Sequence, residues 1–174
     1  MKYLILGHPR SGTGYMAKLF QLNGLDVGHE IMGKNGQSNW QYVIPDDKCF
    51  PWTKGVKSDY VWDIIIHLVR DPFTAISSIA FTETPYKNEK SWRQISEQFR
   101  NKYLNLPNTN RFDRAVYSYC HWNLLIENLN PNHTINLENA FDNLQFLNFK
   151  IKSDNTNLEN LHLNIYATNM FMGE

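Results

Sequence analysis

Two cysteines in 174 residues, Cys49 and Cys120, are too few and too far apart for a disulfide framework, and they form no CxxC pair that would hold zinc. The expectation is a pair of reduced thiols in a cytoplasmic protein. Long apolar runs are missing as well. The longest, Ile64 to Ile66, continues through His67, Leu68 and Val69 and then meets Arg70 and Asp71, far short of the ~20 residues that span a bilayer. The opening, MKYLILG, is too short in apolar sequence for the core of a secretory signal. Net charge is also lacking: 17 Lys and Arg balance 17 Asp and Glu. A dedicated nucleic-acid binder normally carries a basic excess, so nucleic acid is not an expected partner. A small anion held by a few local charges is not excluded.

What the chain does have is material for a core. It is 42% hydrophobic and 14% aromatic, and at this length a single domain removes roughly 70% of its unfolded surface from water. One domain over 1–174 is expected.

Tyr3 to Leu6 reads as a short buried strand. The sequence HPRSGTG follows, and then Tyr15, Met16, Leu19, Phe20 and Leu22 recur at helical spacing up to Gly24. Leu25 to Gly28 reads as a second short strand. Asp63 to Val69 is the strongest strand, a β-branched run of the kind buried in parallel sheets. Asp71-Pro72 forms an N-cap and first-turn pair for a helix bearing Phe73, Ile76 and Ala80. Two further helices carry Trp92, Ile95, Phe99 and Tyr103, then Phe112, Ala115, Tyr119, Trp122, Ile126 and Leu129. Thr134 to Leu137 reads as a last strand, with a helix near Phe141 to Leu147. After Lys152 the chain is polar and Asn-rich and gives no clear element. Strands alternating with helices imply an α/β fold, a three-layer sandwich around a central parallel sheet.

Residues 31–60 break the pattern. Gly33, Gly36, Pro45, Pro51 and Gly55 are interleaved with Trp40, Tyr42, Phe50, Trp52 and Tyr60. A long, turn-rich, aromatic segment reads either as an acceptor-side loop or as ordinary surface packing. Lys87 to Arg114 has a local basic excess, which reads as the exposed face of amphipathic helices or as a lure for an anion.

Gly7-His8-Pro9-Arg10-Ser11-Gly12-Thr13-Gly14 lies between strand and helix. Glycines let amides turn inward and the helix N-terminus adds positive potential, so a P-loop-like anion cradle is expected. Gly7 and Gly12 match the spacing of G-x-x-x-x-G-K-[ST], but Thr13 replaces the lysine and Gly14 the magnesium ligand. That counts against ATP or GTP hydrolysis. His8 either lines the site or is an ordinary loop residue. A second constellation is LVRDPFTAISS, with Arg70 at a strand end and Ser78 eight residues on. A guanidinium and a hydroxyl there suit a second phosphate. Alternatively, Arg70 pairs with Asp71 and Ser78 faces solvent.

Together these segments resemble the sulfotransferases that use 3′-phosphoadenosine 5′-phosphosulfate (PAPS). PRSGT is similar to their 5′-phosphosulfate loop in its tyrosylprotein and bacterial form. LVRDPFTAISS is similar to their 3′-phosphate motif. GLDVGHE resembles the segment where the tyrosylprotein type places its catalytic glutamate, here Glu30. The likeness spans about residues 3 to 82, with a weaker echo at Trp122-Asn123. Arg10 stands where the cytosolic type has Lys, and that type's closing Arg-Lys-Gly segment has no match.

The resemblance implies that Pro9, Arg10, Ser11, Gly12, Thr13 and Gly14 form the 5′-phosphosulfate loop and that Arg70 and Ser78 bind the 3′-phosphate. It implies that Arg10 stabilises the departing charge and that Glu30 takes the acceptor's proton. His29, beside it, has the more suitable ordinary pKa, near 6.5. Neighbours on an extended strand point to opposite faces, so only one of the pair is expected in the site. The product would be adenosine 3′,5′-bisphosphate and no metal is required. The partner would be a small-molecule or glycan acceptor bearing a hydroxyl or amine, with a homo-oligomer left open. Lys54 and Lys57 offer a further cation or are solvated. Competing readings are a nucleotide kinase or nucleoside triphosphatase with a degenerate loop, a non-catalytic nucleotide-binding module, and a scaffold.

Overall fold

A computed structural model describes residues 1–44, 60–82 and 92–147. Its strands are β1 (Tyr3–Gly7), β2 (Val27–His29), β3 (Gly36–Asn39), β4 (Ile64–Val69) and β5 (His133–Asn136). Its α-helices are α1 (Thr13–Leu22), α2 (Pro72–Thr82), α3 (Trp92–Leu104), α4 (Arg111–Glu127) and the single turn α5 (Ala140–Asn143). The Asn-rich sequence beyond 147 lies outside the described residues, as do Lys54, Lys57 and Cys49.

All five strands are parallel, in the order β2-β3-β1-β4-β5. β1 is central and buried along its whole length. Period-2 alternation divides its side chains between two cores. Tyr3 and Ile5 pack with Met16, Leu19 and Phe20 of α1 and with Ala140 and Leu144 at the C-terminal end of the described chain. Leu4 and Leu6 pack with Trp122 and Ile126 of α4 and against Phe99 of α3. Helices therefore cover both faces of the sheet, as expected. A third cluster, Ile79 and Ala80 against Ala115, joins α2 to α4.

Helix starts follow local chemistry. Asp71 Oδ1 accepts the Thr74 amide at 2.9 Å and caps α2. Asn110 Oδ1 does the same for α4, accepting from Phe112 and Asp113 at 2.9 and 3.0 Å.

Three elements differ from expectation. Within 31–60, residues 36–39 are not loop but strand β3, paired to both β1 and β2. Gly36 sits at φ 124, and a Cβ there would lie 1.9 Å from the Tyr3 carbonyl oxygen, so glycine is what allows β3 to close on β1. Trp40 and Tyr42, read as loop aromatics, are core residues. The last helix is one α-turn between two 3-10 turns, Leu137–Asn139 and Leu144–Leu147. Among the described residues, no helix is long and apolar enough to cross a membrane.

The connection after β1 runs toward β2 on one side of the sheet, and that after β4 runs toward β5 on the other. The two chain paths diverge above β1 and β4. Crevices of this kind, at the carboxyl ends of parallel strands, are where α/β proteins bind ligands.

Candidate functional site

Beyond the last β1 residue the chain turns sharply. The Ser11 amide donates to the His8 carbonyl at 2.9 Å, and Arg10 (φ 74) and Gly12 (φ 88) are both left-handed. The loop then opens directly into α1, whose first bond runs from the Met16 amide to the Gly12 carbonyl at 3.0 Å. The amides of Gly12, Thr13 and Gly14 have no acceptor among the described residues, as expected of a first helical turn. Ser11 departs from expectation in one respect: its amide is committed to the turn. Its hydroxyl is the group left over, fully buried and without a hydrogen-bond partner.

Parallel pairing brings the second motif to the same height. Gly7 is in register with Leu68, so the residues that follow each strand meet above the sheet. Arg70 Nη1 donates to the Arg10 carbonyl at 2.9 Å, and Arg10 Nε donates to Ser78 Oγ at 3.1 Å. The alternative in which Arg70 pairs with Asp71 does not occur. Asp71 is occupied with its own helix, and its amide donates to the Glu138 carboxylate. The Tyr119 hydroxyl donates to the Arg70 carbonyl, fixing the strand end from α4, and burial pushes that phenol's pKa up.

On the other side of the loop lie His29 and Glu30. His29 is in register with Ser38, and its ring reaches α1, with Nε2 3.2 Å from Thr13 Oγ1. The alternation rule sends Glu30 to the opposite face. It fails here because Glu30 is left-handed (φ 58), which ends β2 and swings the carboxylate over the strand end. His29 Nε2 and Glu30 Oε1 are consequently 3.8 Å apart. The Trp40 indole donates to Glu30 Oε1 at 2.7 Å, and the Trp40 carbonyl is held by the Trp122 indole at 2.9 Å. Among the described residues, these contacts of the Glu30 carboxylate fall on Oε1. Burial pulls the His29 pKa down against an opposing pull from Glu30.

His8 neither lines the surface nor floats in the loop. It is fully buried beneath the turn, between Tyr119 and Trp122. Arg100 Nε donates to Ser118 Oγ at 2.8 Å, and Ser118 Oγ lies 2.9 Å from His8 Nε2. His8 Nδ1 lies within hydrogen-bond distance of the Pro9 carbonyl. A single set of protons satisfies this chain: the serine donates to Nε2 and Nδ1–H donates to Pro9, which makes the ring neutral. Burial, and Arg100 beyond it, hold its pKa well below the ordinary value. Arg100 is itself fully buried, which corrects the expectation that the basic stretch is only a solvated helix face.

The structure thus gathers Arg10, Arg70 and Ser78 on one side of the α1 N-terminus and His29 and Glu30 on the other. Trp40, Ser118, Arg100 and Tyr119 are supporting residues the sequence reading missed as such, because no local pattern encodes a tertiary hydrogen bond. Among the described residues, no group of three or more His, Cys, Asp or Glu side chains could hold a metal ion. No protein-family model, curated protein or solved structure matches the chain.

Proposed function

We propose that the chain is a PAPS-dependent sulfotransferase, moving a sulfuryl group to a hydroxyl or amine of a small-molecule or glycan acceptor. One observation carries the reading. Four non-glycine residues among those described have positive φ: Arg10, Glu30, Asn105 and Asn130. Asparagine tolerates that conformation. Arginine and glutamate do not, and holding each there costs about 1–3 kcal/mol. The two strained positions are the two charges that sulfuryl transfer would use.

The residues fit the donor. Three unsatisfied amides and the orphaned, buried Ser11 hydroxyl form a cradle for a 5′-phosphosulfate beneath the α1 N-terminus. Arg70 and Ser78 would hold the 3′-phosphate. When bound, the donor supplies a sulfuryl group activated by its link to phosphate. Arg10 neutralises the charge that develops on the departing phosphate oxygen, a positioning and electrostatic task. Glu30 Oε2 receives the acceptor's proton, while the Trp40 indole fixes the other carboxylate oxygen. His29, neutral by its lowered pKa, stands beside the carboxylate as a second proton acceptor.

Titration calorimetry with adenosine 3′,5′-bisphosphate, beside ATP with magnesium, tests this reading. Metal-independent micromolar binding of the bisphosphate, weakened in Arg70→Ala, is the expected result. Silence toward the bisphosphate with clear Mg–ATP binding would overturn it in favour of a kinase or nucleoside triphosphatase.

A further inference from the structure

A cleft of about 350 Å³ opens between α2, α3 and α4, away from the strand ends. Its volume falls within the roughly 300–1,000 Å³ of small-molecule sites. Three arginines line it, Arg100, Arg111 and Arg114, against one carboxylate, Glu97. That carboxylate is spoken for: Arg114 engages it through Nε at 2.9 Å and Nη2 at 2.6 Å. Arg111 is the group set apart. Its guanidinium lies 4.6 Å from the Phe81 ring centre and 5.3 Å from that of Phe112, and among the described residues it makes no hydrogen bond or ion pair. Two ring faces hold the fork in place while its N–H donors have no acceptor among the described residues, an arrangement suited to a planar oxyanion. The floor is apolar, formed by Ile79, Leu106 and Ala115.

The cleft also touches the candidate site. Ser118 lies in its wall, and that hydroxyl is one hydrogen bond from His8 beneath the β1–α1 loop.

We propose that this cleft is a second ligand site, for a small molecule with an oxyanion head and an apolar body, distinct from the nucleotide's. Arg111 receives the head and the apolar floor receives the body.

The probes are 4-hydroxybenzoate and its uncharged counterpart 4-hydroxybenzamide, titrated into the full chain while the arginine Nε–Hε resonances are followed by NMR. The carboxylate should move the Arg111 resonance and bind about tenfold or more tighter than the amide, the usual margin for a hydrogen bond to a charged group. Arg111→Gln should erase that difference, Arg111→Lys should keep part of it, and neither should change bisphosphate affinity. Equal binding of the two probes, no binding of the carboxylate by about 10 mM, or indifference to Arg111→Gln overturns the proposal. So does a matching loss of bisphosphate affinity, which would make the cleft part of the nucleotide site. Charge-selective binding in a chain that ignores the bisphosphate would sustain the cleft and sink the sulfotransferase reading.

Discussion

Arg70 Nη1 donates to the Arg10 carbonyl at 2.9 Å, so the guanidinium assigned to one phosphate also fixes the backbone of the residue assigned to the other. Arg70→Ala removes both and should lower affinity for adenosine 3′,5′-bisphosphate by about 100-fold. Arg70→Lys keeps charge without the fork and should lose about tenfold. Arg10→Ala should do the reverse, cutting release of bisphosphate from the donor by about 100-fold or more while leaving product affinity nearly intact. Small, equal effects of both alanine variants on both quantities would sink the division of roles.

The left-handed backbone at Arg10 and Glu30 gives a stability prediction that needs no substrate. Glycine takes that conformation freely and alanine does not. Arg10→Gly should therefore be more stable than Arg10→Ala by about 1 kcal/mol in urea unfolding, and Glu30→Gly than Glu30→Ala likewise. At an ordinary position the order reverses. An alanine variant as stable as its glycine counterpart would remove the strain on which the functional reading rests.

Two histidines make the fold acid-sensitive. Burial lowers the pKa of both His8 and His29 in the folded chain. As pH falls through about 6.5, the unfolded chain takes up protons that the folded chain refuses. Stability that is complete above that pH is lost below it, down to the folded pKa, at up to about 1.4 kcal/mol per pH unit for one such group. Unfolding midpoints at pH 7.5, 6.5 and 5.5 should fall more steeply in the wild type than in His8→Gln. Parallel slopes would mean that His8 titrates normally.

Gly12 and Gly14, two residues apart, should respond oppositely to alanine. At Gly12 (φ 88) a Cβ would stand 2.7 Å from both Leu137 methyls, and Gly12→Ala should cost at least about 2 kcal/mol. At Gly14 the nearest atom is His29 Cε1 at 3.4 Å, an ordinary contact, and alanine improves helix propensity by up to about 1 kcal/mol. Gly14→Ala should be neutral or stabilising in thermal unfolding. A loss equal to that of Gly12→Ala would contradict the geometry.

What was legible in the sequence follows from what local chemistry encodes. β1 and β4 show themselves as continuous apolar runs because parallel strands are buried on both faces. The Asp71-Pro72 start of α2 is equally plain. β3 hides because Gln37, Ser38 and Asn39 are polar yet fully enclosed: Asn39 Nδ2 donates to Gln37 Oε1 at 3.4 Å, and Asn39 Oδ1 accepts from the Gln41 and Tyr42 amides. The meeting of Arg10 with Arg70 and Ser78 could be anticipated, since strand ends in one register arrive together. The convergence of His29 and Glu30 could not. It depends on a single left-handed residue whose type gives no hint of it, and on Trp40, whose indole meets Glu30 only after β3 has paired.

The support behind the β1–α1 loop has a consequence for how the protein comes into being. His8 and Pro9 are synthesised well before the groups that hold them, Arg100 and Ser118, which follow about a hundred residues later. A nascent chain halted before α3 would carry the whole Gly7–Gly14 stretch and both strands beside it, but with the buried imidazole exposed to water and free to protonate. Ligand affinity in such stalled chains should therefore switch on abruptly once α4 has cleared the ribosome, rather than grow with each strand added.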